Sequence, residues 1–215
     1  MIRHFTRGGR ILAVAAALLI AAGCSCSRDD TTSTGTTTTP APDPSRPPAA
    51  VRWESWQGVV LPISATDGPA ETSTDAASGY SHTPQGAGLA AIQHTVRISI
   101  APDGRWPLVA YTVLVSNAGK DEFVLSRSQY SITGPADPQY VPTILGYKIT
   151  SYGDDRSEIT VYSRYPDDSL SANSAVVVWQ YGDWRLELPD PAAKIAVVTA
   201  IPELPGDIVR LEPPR

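Results

Sequence analysis

Apolar and polar positions along this chain change their period three times. Residues 11–22 are an unbroken apolar run, and residues 24–50 contain no large apolar side chain at all. Helical spacing then sets in after His82-Thr83-Pro84-Gln85-Gly86-Ala87: Leu89, Ile92 and Val96 recur at steps of three and four. This predicts a helix capped by Thr83, with Pro84 as its first residue, where a missing N–H costs nothing, running to about Ile98. Residues 108–115 and 120–130 are read as two further helices, the first against the strand preference of Tyr111, Thr112, Val113 and Val115.

From Tyr147 onward the period falls to two. Residues 147–152, 158–165, 175–181 and 184–188 read as four strands, with Ile159 and Val161 on one face and Glu158, Thr160, Tyr162 and Arg164 on the other. Gly182-Asp183 fits a two-residue hairpin turn of type II′, with glycine first. Gly153-Asp154-Asp155 and Pro166-Asp167-Asp168 make the longer turns of an antiparallel meander. Helices followed by strands predict an α+β domain: N-terminal helices packed on a curved, cone-like, four-stranded antiparallel sheet, with a pocket at its open end. Residues 52–62, with Trp53 and Trp56 ahead of Val59, Val60 and Leu61, are expected to cross the core as an entry segment, and residues 64–79 to form a mobile loop.

The chain therefore divides into a leader (1–23), a tether (24–50), one globular domain (51–189) and a Pro-rich C-terminal extension (190–215). In that extension residues 192–200 are read as a helix or strand, and the whole stretch, with Pro202, Pro205, Pro213 and Pro214, is expected to pack loosely along the surface. Arg3, Arg7 and Arg10 precede the apolar run, which gives the charged and apolar regions of a secretory signal. The run is shorter than the ~20 residues a membrane span needs, which disfavours an uncleaved anchor helix. Ala21-Ala22-Gly23-Cys24 forms a lipobox, with Ala21 where leucine is more usual. Cys24 is thus the predicted lipidation residue, holding the protein on the extracytoplasmic face of the cell membrane. Each buried CH2 of its acyl chains would contribute about 0.8 kcal/mol. Cys26 has no cysteine downstream to pair with and is read as a bystander.

Thr, Ser and Pro dominate the tether, which cannot bury enough surface to fold and is read as a disordered spacer. Removing residues 1–23 takes away three arginines and no acid, which moves the formal charge from −5 to about −8. An acidic surface repels phosphate backbones, so nucleic acid is not an expected partner.

Candidate chemistry is sparse. Asp103, Asp121, Asp154, Asp155, Asp167, Asp168 and Asp183 all fall in predicted turns, where acids satisfy backbone N–H groups. His82 and His94 stand twelve residues apart and do not form a metal motif by themselves. The serines lack a nucleophile elbow, so no catalytic, metal-binding or cofactor-binding residue is assigned and no cofactor is expected. Trp179 and Trp184 flank the last hairpin, with Tyr147, Tyr152, Tyr162, Tyr165 and Tyr181 along the strands. The two tryptophans are expected to close the core, with a partner surface as the alternative.

Four segments carry a resemblance: WQGVVLPISATDGP from Trp56, SHTPQGAGLAAI from Ser81, YKITSYGDDRSEITVYSRYP from Tyr147 and VVVWQYGDWRLELP from Val176. Together they resemble a family of actinobacterial lipoproteins and membrane-anchored proteins, members of which often occur beside conjugation or mobile-element genes. The resemblance covers most of residues 53–189. It implies a cone similar to nuclear transport factor two and brings no activity with it. The preferred reading is a non-enzymatic, membrane-tethered interaction module, accessory to a cell-envelope or conjugative transfer complex, with envelope or secretion-complex proteins as partners. A small-ligand carrier using the cone pocket is the alternative, and an isomerase-like enzyme comes third.

Overall fold

In the computed structural model, which describes residues 41–214, the chain opens on strands. The leader, Cys24, Cys26 and most of the tether lie outside the described residues. Strands β1 (Val51–Trp56) and β2 (Val59–Ser64) pair antiparallel from Val51↔Ser64 to Trp56↔Val59. The expected entry segment is therefore a β-hairpin that precedes the helices, which corrects the helices-first order. Pro62 hides it in the sequence, because proline removes a ladder donor; a two-stranded ribbon tolerates it at an edge. Gln57 and Gly58, both at positive φ, form its type I′ turn.

Residues 64–79, expected to form a mobile loop, are tied to the body, as is the stretch that follows them to α1. Ser64 and Gly68 exchange two backbone hydrogen bonds of 2.9 Å, Glu71 and Ser78 exchange two more, and Ala76, Ala77 and Tyr80 are buried. Helix α1 (Pro84–Ile100) begins as expected, with the Thr83 hydroxyl accepting from Gly86 N at 3.1 Å. Its apolar stripe understates its burial, since residues 84–94 are buried all the way round. The sheet covers one side of α1, while β2 and the 65–83 segment cover the other. Helices α2 (Trp106–Val113) and α3 (Ala118–Arg127) follow, each shifted two residues toward the N-terminus from its expected start.

Strands β3 (Thr143–Tyr152), β4 (Arg156–Arg164), β5 (Leu170–Gln180) and β6 (Asp183–Glu187) form the expected meander. The sheet does not stop at four. β7 (Val198–Ile201) pairs with the first half of β5, on the same edge that β6 occupies along its second half, and β8 (Val209–Arg210) pairs with β3. The sheet thus has six strands, and the segment expected to lie loosely on the surface supplies two of them. Val209 and Leu211 are buried, which fixes that end of the chain.

The last hairpin also differs from expectation. Gln180 pairs with Asp183, so the turn residues are Tyr181 and Gly182, at φ 57° and 77°: a type I′ turn in place of II′. Asp183 is a strand residue because its carboxylate is needed elsewhere, accepting from Gly79 N at 2.8 Å and Tyr80 N at 3.0 Å.

The inner sheet face carries Tyr147, Ile159, Val161, Val177, Trp184 and Leu186 against α1. Burying side chains of the size of Ile159 or Val177 stabilises by about 1.5–3 kcal/mol each. The architecture is mixed α+β in one domain, with α1 at its centre between the sheet and the β1–β2 hairpin.

Candidate functional site

Toward its C-terminal end α1 parts from the sheet and leaves a cavity of about 350 Å³. Val59, Ile92, Ile144 and Val161, all buried, form apolar walls. Tyr140 and Val198, both largely exposed, stand at the rim. Ser163, Ser171 and Asn173 add a polar strip on the sheet side, because alternation along β4 and β5 turns them inward with Val161, Ala175 and Val177. Thr95 and Ser99 line the helix side. Two polar atoms of this lining, Thr95 Oγ1 and Asn173 Oδ1, are buried without a hydrogen-bond partner. An unpaired buried polar group is costly, so a site that keeps two of them is poised for something to meet them.

A larger groove of about 610 Å³ lies on the outer sheet face between β4, β5, β6 and residues 188–197. Of its four charged residues Arg156 and Glu187 pair with each other, Glu158 and Asp190 being the other two, and Ile195 on its wall is largely exposed. The orphaned polar atoms favour the smaller cavity as the binding site.

The polar residues of α1 make a second constellation. Gln93 donates to Pro62 O at 2.9 Å and accepts from Arg97 Nε at 2.9 Å, while Arg97 reaches Asp75 O at 2.8 Å and stacks over Trp56. His94 Nε2 lies 2.8 Å from Trp184 O, and burial drives its pKa down to about 4. Burial likewise raises the pKa values of Tyr80 and Tyr147, whose hydroxyls have no partner. These groups bind layers together; none of them lines the cavity.

The acids singled out in the sequence sit in structural roles. Asp103 accepts from the Ser131 hydroxyl, from Ile132 N at 2.8 Å and from Arg127 at 2.9 Å, and these bonds hold its pKa down at about 2. Asp167 accepts from Ser169 N and Oγ, chiefly the latter, which lowers its pKa. Asp168 stands at positive φ in the same turn. Backbone carbonyls of Asp154 and Asp155 accept from His82 Nε2 and from Trp179 N. Asp121 lies in the first turn of α3, where helix-dipole attraction stabilises an acid. The buried acid among the described residues is Asp67, which accepts from Ala49 N at 2.9 Å. Two of the acids, Asp183 and Asp121, lie in a strand and a helix, outside the turns expected for them.

His82 stacks flat on Trp179, 4.0 Å between ring centres, and meets the edge of Trp184. His82, His94, Trp179 and Trp184 converge: His82 is exposed against the half-buried Trp179, and His94 and Trp184 lie in the core. Trp184 closes the core as expected, Trp179 is half-buried, and Tyr181 at the hairpin tip is 90% exposed. Tyr162 is buried, Tyr152 packs near Trp184, and Tyr165 lines the cavity. Among the described residues no group of three or more His, Cys, Asp or Glu could hold a metal, and no helix is long and apolar enough to cross a membrane.

Sequence reasoning missed Thr95, Ser99, Ser163, Ser171 and Asn173. The available signal was their parity, since Ser163 shares a face with Val161, and Asn173 one with Ala175 and Val177. The small, polar start of β5, LSANS, concealed the strand that carries two of them.

Neither the curated proteins nor the solved structures include a match to this chain. A family model, Domain of unknown function (DUF8175), matches residues 20–209, which is most of the sequence, and the chain belongs to that family.

Proposed function

We propose that this protein is a non-enzymatic binding protein, held by lipidated Cys24 on the extracytoplasmic face of the cell membrane, that takes a small ligand into the cavity between α1 and the sheet. The carrying observation is the cavity itself: apolar walls of buried Val59, Ile92, Ile144 and Val161 with few, inward-turned polar groups. That combination of volume and lining is characteristic of small-molecule sites. The leader, lipobox and Thr/Pro-rich tether of the sequence supply the anchoring half of the reading.

The test is titration of the full chain with the neutral fluorophore N-phenyl-1-naphthylamine. Saturable binding of one probe per chain is expected. Ser99→Trp, at an exposed helix position on the cavity wall, should weaken binding at least tenfold while leaving the thermal midpoint in place. Absence of saturable binding by the folded wild-type chain would overturn the reading.

A second reading, docking onto envelope or secretion-complex proteins, is favoured by a cluster around α2 and the last hairpin. Tyr111 and Tyr181 are largely exposed there, and Arg185 links them, donating to Tyr111 O at 3.2 Å and stacking on Tyr181 at 4.9 Å. Exposed tyrosines beside arginine are typical of protein contact surfaces. Crosslinking in membranes should capture specific envelope proteins with the wild-type chain and lose them with Tyr111→Ser/Tyr181→Ser; capture that is unchanged by the double substitution would remove this reading.

A further inference from the structure

The cavity combines apolar walls with two desolvated oxygens that nothing in the fold satisfies, Thr95 Oγ1 on α1 and Asn173 Oδ1 on β5. The two differ in what they ask of a ligand. An amide oxygen only accepts, so Asn173 Oδ1 calls for a donor; a threonine hydroxyl gives or accepts one. Among the described residues that line the cavity there is no Lys, Arg, His, Asp or Glu. A carboxylate or ammonium entering it would lose its hydration without a counter-charge, which excludes ionic ligands on energetic grounds. An apolar hydrocarbon would enter but leave both oxygens unpaired, the situation in which discrimination between a ligand with and without a hydroxyl is largest.

We propose, resting on the ligand-binding reading above, that the cavity selects a neutral amphiphile whose hydroxyl donates to Asn173 Oδ1 while its hydrocarbon body lies against Ile92, Val161 and Ile144. Asn173 is then the residue that decides specificity, with Thr95 as a second hydrogen-bonding group on the facing wall. The register supports Asn173 in this role. It pairs with Val161 on one side and Val198 on the other, between the buried wall and the exposed rim, so a polar head held there leaves the apolar end of the ligand pointing inward.

Three probes of matched length separate the cases: octan-1-ol, 1-methoxyheptane and octanoate, each titrated calorimetrically into the full chain. The alcohol should bind at least tenfold more tightly than the ether, and octanoate more weakly than either. Asn173→Leu keeps the side-chain shape and removes the acceptor, so it should bring alcohol and ether within about twofold of each other. Thr95→Val, a second shape-conserving change, should narrow the gap in part, and thermal unfolding of each variant establishes that it is folded. Equal affinity for alcohol and ether in the wild-type chain would mean that water already satisfies these oxygens, and would overturn the ligand class while leaving a binding cavity in place. A gap that persists in folded Asn173→Leu would overturn the role of that residue. Failure of all three probes to bind would overturn the cavity reading itself.

Discussion

His94 Nε2 lies 2.8 Å from the backbone carbonyl of Trp184, in the core, where α1 meets the edge of the sheet. A carbonyl can only accept, so Nε2 carries the proton and the buried Nδ1, without a partner, is the bare nitrogen of a neutral ring. Burial disfavours the imidazolium, and Arg97 and Arg185 oppose it further, which together bring the pKa to about 4 against the hydrogen bond to Trp184.

The pH dependence follows from that shift. The unfolded chain takes up a proton near pH 6.5 and the folded chain only near pH 4, so this group leaves stability undiminished above pH 6.5 and erodes it as pH falls toward 4. The full loss corresponds to about 3 kcal/mol. Urea unfolding at pH 7, 5.5 and 4.5 should show it in the wild type, with a shallower slope in His94→Gln, which keeps a donor for Trp184 O and does not titrate. Identical slopes would sink this account.

Asp103 titrates in a lower window. Its folded pKa of about 2 stands below the ordinary 3.8, chiefly through the Ser131 hydroxyl, then Ile132 N and Arg127. Its contribution is present above pH 3.8 and is lost as pH falls toward 2. A carboxyl-carbon NMR titration should place the midpoint near 2, and Ser131→Ala should move it up toward 3.8. No movement would show that the hydroxyl is not the dominant partner.

Gly88 gives the clearest packing test. A Cβ built there would stand 2.4 Å from the ring of Tyr147, which is fully buried and has nowhere to go. Alanine in place of helical glycine gains up to about 1 kcal/mol from propensity, while overpacking costs about 1–3 kcal/mol. The clash is expected to win, so Gly88→Ala should lower stability in denaturant melts. Stabilisation would mean that the ring yields freely.

Cys24→Ala tests the anchor. One acyl chain binds a membrane reversibly and several hold it firmly. The substitution should therefore shift the protein from the membrane to the soluble fraction, and mass spectrometry of the wild-type mature N-terminus should find an acylated cysteine. An unmodified N-terminus would overturn the anchored reading.

Some of these features were legible along the chain. The Thr83-Pro84 start of α1 is a local device, satisfied within four residues, and it forms as its sequence implies. The meander of β3 to β6 is equally local, because alternation and turn residues suffice to set it. β1–β2 was masked by Pro62 and by the continuous apolar run around it, in which period two is invisible.

What the chain determined by itself was short-range: the helix cap, strand parity and the two longer turns of the meander, at residues 153–155 and 166–168. What tertiary structure decided was everything that depends on partners far away in sequence. Asp183 became a strand residue because Gly79 and Tyr80, about a hundred positions earlier, offered their N–H groups. Residues 198–201 and 209–210 became strands because β5 and β3 left free edges to pair with. The cavity followed from the same cause. Thr95 and Asn173 are unremarkable in their own segments, and only the packing of α1 across the sheet buries their oxygens opposite apolar walls, since desolvation is a property of the assembled layers and not of either strand or helix.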